Sequence, residues 1–128
     1  MIIESAVFCL GLAIYFEGRG ESEFGQKLIA NILTNRVRSK KYPNNYCDVM
    51  TQYKQFSFYN GVDKINDLKT PDHKALNKSL QVAENYMENK LELIKGCNYT
   101  TLAVKNDWTR KMKVERIEGQ HKFMIGGC

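Results

Sequence analysis

Glu17 and Glu21 stand four residues apart around Gly18-Arg19-Gly20, and their spacing could do chemistry. Paired carboxyl groups cleave glycosidic bonds, about 5–5.5 Å apart in retaining enzymes and about 6.5–9.5 Å apart in inverting ones. On an unbroken helix the two side chains would be neighbours, their Cβ atoms roughly 6 Å apart. Gly18 and Gly20 argue against an unbroken helix there, so the pairing by itself says little. Glu17 is the more informative residue. Ile3, Val7, Leu10 and Ile14 recur at helical spacing, and Glu17 falls three residues further along the same face. A carboxylate in line with a buried stripe would cost roughly several kcal/mol if ionised and unpaired. It therefore finds a partner, or it stays neutral with its pKa raised by desolvation. A proton held near neutral pH is what a general acid requires. The glycines remove bulk beside it and end the helix, opening a path for something large. The plainer alternative is a Glu17 turned to solvent or paired with Arg19. Glu21 has the same choice between chemistry, capping the next helix and binding Arg19.

Other chemistries lack their residues. There is no GxSxG, no phosphate loop and no CxxC spacing, and only His73 and His121 are available as imidazoles. Neither a structural zinc site nor any cofactor is expected. Four cysteines, Cys9, Cys47, Cys97 and Cys128, allow three pairings that the sequence does not rank. Cys9 reads as a buried thiol of the first helix, and Cys128 is open to being free. A net charge of +5 suits an anionic partner, and activity on such a partner should be salt-sensitive. No nucleic-acid reading motif accompanies the charge, so no nucleic-acid partner is expected. By elimination, acid-assisted cleavage of a sugar bond by one well-placed glutamate fits these residues best.

The elements that must position Glu17 are mostly helices. At 128 residues the chain reads as one domain, residues 1–128. The apolar opening is too short to span a bilayer, and Glu4 stands where a signal peptide would be positive, so it reads as a core helix over 3–17. Ser22 caps a second helix, Glu23 to Arg38, with Leu28, Ile29, Ile32, Leu33 and Val37 inward. Its basic end (Arg36, Arg38, Lys40 and Lys41) reads as complement to the helix dipole. A turn at Tyr42-Pro43-Asn44-Asn45 and a short helix around Cys47 to Thr51 follow. Thr70-Pro71-Asp72 starts a further helix, with Leu76, Leu80, Ala83 and Met87 on one face, running to about Ile94 before Gly96. Thr100 to Val104 and Lys111 to Ile117 look like strands, and His121 to Ile125 returns as a hairpin after Glu118-Gly119. The expected class is α+β, mainly helical, with a small C-terminal β element.

From Cys9 to Phe58 the chain resembles the opening of the SleB-type, spore-cortex-lytic cell wall hydrolases. The matching residues are Tyr15-Phe16-Glu17-Gly18-Arg19-Gly20-Glu21, then Gly25-Gln26, Asn35-Arg36-Val37, Tyr42-Pro43 and Gln55-Phe56-Ser57-Phe58. Trp108 and the run from Ile117 to Phe123 are similar to that family's terminal hairpin. The resemblance implies a lysozyme-like, lytic transglycosylase fold. It also implies cleavage of peptidoglycan between N-acetylmuramic acid and N-acetylglucosamine, leaving an anhydro sugar. Glu17 matches the family's general acid/base. One carboxylate can then suffice, because the muramic 6-hydroxyl replaces water as the attacking group. Glu21, Gln55, Ser57 and Tyr99 are the candidates to bind the glycan. The chain departs from the family at Gly96-Cys97-Asn98-Tyr99-Thr100-Thr101, where relatives carry a GATHYH-like segment with two histidines. Without a wall-anchoring module or export signal, the chain resembles a bacteriophage lysin, a monomer acting on glycan strands at the cell wall. A muramidase using water, and a wall-binding domain without activity, are the alternatives.

Overall fold

The computed structural model describes residues 5–52, 69–90, 92–102 and 112–128. Among these residues four helices run in order, α1 (Ala6–Gly18), α2 (Glu23–Arg38), α3 (Tyr46–Thr51) and α4 (His73–Asn89). Three strands follow among the described residues, β1 (Asn98–Thr101), β2 (Val114–Glu118) and β3 (His121–Met124).

Helix α1 is buried from Cys9 to Tyr15 on every side. A helix apolar all round gains most when other elements enclose it, and α1 packs against α2, α3 and α4. Ser5 starts it by accepting from the Phe8 amide at 3.1 Å. Helix α2 has the predicted bounds and the predicted cap, with the Gly25 amide on the Ser22 hydroxyl at 3.0 Å. Leu28, Ile29, Ile32 and Leu33 are fully buried, and Val37 packs at the edge of the core.

Helix α4 departs from the sequence reading at both ends. It starts two residues late, because Asp72 is itself the cap, accepting from the Ala75 amide at 2.9 Å. It stops at Asn89, with Lys90 in the left-handed region at φ 44°, instead of reaching Ile94. The amides of Leu93 and Ile94, which would have continued the helix, donate to Asn31 Oδ1 on α2 at 2.7 and 3.0 Å. Asn35 takes the carbonyls of Ile94 and Gly96 at 3.1 and 2.8 Å. The inward face is also turned slightly: Ser79, Val82, Ala83 and Tyr86 are buried, and Leu76 and Met87 flank them.

The sheet is antiparallel in the order β1-β3-β2. Tyr99 pairs with Phe123, and His121 lies between Thr101 and Glu118. Both cysteine readings are corrected. Cys9 is bonded to Cys47, tying α1 to α3, and Cys97 is bonded to Cys128, tying the entry of β1 to the chain end. Their Cα atoms are 5.1 and 5.2 Å apart, a proximity only the tertiary fold creates.

Candidate active site

The C-terminal turn of α1 delivers Glu17 to the edge of the core, partly exposed. Just beyond it the chain turns sharply. The Glu21 amide donates to the Gly18 carbonyl at 2.9 Å, and Gly20 sits at φ +96°, a backbone shape that favours glycine. Arg19 does not pair with either glutamate. Its guanidinium lies over the Tyr15 ring, 4.5 Å from the centroid, and donates to the Tyr15 hydroxyl at 2.5 Å.

Glu17 instead meets Tyr99 of β1. The phenol hydroxyl donates to Glu17 Oε1 at 2.6 Å. The sequence reading puts Tyr99 among the glycan-binding groups; the structure puts its hydroxyl on the carboxyl itself. Burial raises the Glu17 pKa above the usual carboxylate range. The Tyr99 hydrogen bond and the Arg36 charge pull it down without cancelling that rise. Burial, and the charge of Glu17 beside it, push the Tyr99 phenol well above its ordinary range. The pair is therefore a neutral hydroxyl on a carboxyl that holds its proton unusually well.

Arg36, read from sequence as part of the basic end of α2, is buried at 4% exposure. Its Nε donates to the Cys97 carbonyl at 2.6 Å, and its guanidinium lies 5.1 Å from the centre of the Tyr42 ring. It fixes the strand that carries Tyr99 and contributes positive potential to Glu17.

Glu21 turns the other way, toward the β2–β3 turn. Its Oε1 accepts from the Gln120 amide at 3.2 Å and stands 3.8 Å from His121 Nδ1. The His121 ring meets Tyr99 edge-on at 5.4 Å, and Tyr99 stacks on Phe123 at 5.7 Å. Burial lowers the His121 pKa, with Glu21 opposing. Gln55 and Ser57 lie outside the described residues. The contributions of Arg36 and His121 were not read from sequence, although both fall inside the matched stretches, Asn35-Arg36-Val37 and Ile117 to Phe123.

Residues 20–124 match a model of the cell wall hydrolase family. The chain belongs to that family. Two solved structures place the fold of this cell wall hydrolase. The catalytic domain of the Bacillus cereus SleB protein matches at 22% identity over 93% of this chain and 88% of that one, with a TM-score of 0.70. The catalytic domain of the germination-specific lytic transglycosylase SleB from Bacillus anthracis matches at 21% identity over 97% and 98%, with a TM-score of 0.71. The fold is thus mainly helical with a small antiparallel sheet, of the lysozyme-like kind. No curated protein sequence matches the chain significantly. The family match begins at Gly20, three residues after Glu17, so the case for Glu17 rests on its own surroundings.

Proposed function

We propose that this cell wall hydrolase degrades peptidoglycan as a lytic transglycosylase with Glu17 as its single general acid/base. The environment of Glu17 carries the reading: a partly exposed carboxyl, raised by burial, whose hydrogen bond comes from the neutral Tyr99 hydroxyl. Family membership supplies the substrate class, cell wall glycan. The SleB resemblance supplies the bond, between N-acetylmuramic acid and N-acetylglucosamine.

Because Tyr99 donates to Oε1, the transferable proton belongs on Oε2. Glu17 gives that proton to the glycosidic oxygen as the bond to the muramic C1 breaks. The resulting carboxylate then takes the proton of the muramic 6-hydroxyl as that oxygen attacks C1. The products are a free 4-hydroxyl on the leaving sugar and a 1,6-anhydro muramic end, with Glu17 protonated again and no water consumed. The orientation of Glu21 favours this single-carboxylate route over a water-using muramidase, because its side chain, 11% exposed, faces the chain's own β2–β3 turn and His121. Two disulfides suit an enzyme that works at the wall, outside a reducing cytoplasm.

Mass spectrometry of fragments released from purified peptidoglycan tests the reading. Anhydro ends are expected from the native chain and no fragments from Glu17→Gln. Reducing ends would establish the muramidase; undiminished release by Glu17→Gln would remove Glu17 from the role.

A further inference from the structure

We infer that Glu21 and His121 are positioning residues for the acid, holding the sheet against the α1–α2 junction so that Tyr99 meets Glu17. The inference rests on the reading of Glu17 as general acid. Its basis is a closed circuit of contacts through the chain's own residues. Glu17 and Glu21 are joined by a tight turn, closed by the Glu21 amide on the Gly18 carbonyl. From one end of that turn Glu17 grips β1 through Tyr99, and from the other Glu21 grips the β2–β3 turn through the Gln120 amide.

Gly119 shows how tightly the second grip is built. A Cβ at this position would lie 1.8 Å from Glu21 Oε1, and the residue already sits at φ +57°. The carboxylate is seated as close to the turn backbone as a glycine permits. Both members of the Glu21–His121 contact are nearly buried, with side chains 11% and 9% exposed. On β3, His121 and Phe123 point to the same side, and their rings bound Tyr99, one by its edge and one by its face. Moving His121 therefore moves the Tyr99 ring, and with it the hydroxyl that chooses which oxygen of Glu17 carries the proton. Misplacing a reacting group by about 1 Å can cost on the order of a hundredfold in rate. From sequence, Glu21 is a candidate to bind glycan, with capping the next helix or binding Arg19 as its alternatives.

Steady-state kinetics on soluble peptidoglycan strands separate the two roles. Glu21→Ala and Tyr99→Phe are each expected to lower kcat about tenfold with KM within about twofold. The double variant should be no slower than the worse single one, since both break the same circuit. Glu21→Gln keeps an acceptor for the Gln120 amide and should recover most of the loss. Gly119→Ala leaves Glu21 in the chain but displaces its carboxylate, and should by itself lower kcat about tenfold with KM within about twofold. Losses that multiply in the double variant, a raised KM with kcat kept, or native kinetics in Gly119→Ala would each overturn the inference. Those outcomes leave an inactive Glu17→Gln untouched, so failure here is distinguishable from failure of the proposed function.

Discussion

Tyr99 and Glu17 are 82 residues apart in the chain and 2.6 Å apart in space, hydroxyl to carboxyl. The phenol favours the carboxylate, whereas burial favours the acid, and burial is the larger influence. The balance leaves a carboxyl that holds its proton more tightly than an exposed glutamate does.

Tyr99→Phe removes the larger of the two influences that lower the Glu17 pKa and leaves the Arg36 charge in place, so that pKa should rise further. The alkaline limb of the kcat/KM profile, where the acid form is lost, is expected to move to higher pH. Tyr99 holds its own proton well above the ordinary phenol value, so it does not supply that limb itself. A limb that stays put or moves to lower pH would contradict this arrangement.

Glu17 should also mark the stability of the fold. Its pKa is higher in the folded chain than the unperturbed 4.5, so the folded state binds this proton more tightly. The stabilisation is fully present below the unfolded value and is lost as pH rises through the folded one. Glu17→Gln cannot ionise, so its Tm relative to the native chain is expected to increase from pH 4 to pH 8. Differential scanning calorimetry across that range measures it, and a flat difference would count against a buried, raised carboxyl.

The disulfides should contribute much of the stability. They close segments separated by 38 and 31 residues, and the chain-entropy account gives each about 4 kcal/mol. Thermal unfolding with and without reductant is expected to show a large drop in Tm. Cys97→Ser should also weaken activity, because Cys97 lies two residues before Tyr99 and its carbonyl is held by Arg36.

Asn31→Ala leaves the amides of Leu93 and Ile94 without their shared acceptor. A buried amide left unsatisfied costs about 1–3 kcal/mol, so urea unfolding should show a loss of about 2–3 kcal/mol. A loss under about 0.5 kcal/mol would mean that the segment leading to β1 is held by other contacts.

Local signals in the sequence determined several of the elements and singled out Glu17 as the candidate acid. The apolar run to Phe16, the cap at Ser22 and the Glu118-Gly119 turn each act within a few residues, so α1, α2 and the hairpin were legible, and Glu17 stood out by its place on a buried stripe. What only the tertiary structure decided were the partners: Tyr99 on Glu17, Glu21 on the hairpin turn, Arg36 inward, Cys9 with Cys47, and Asn31 ending α4 early. Each of those joins positions far apart in the chain. Periodicity and capping report only what neighbouring residues do to one another, whereas these contacts exist because helices and sheet close around a single core.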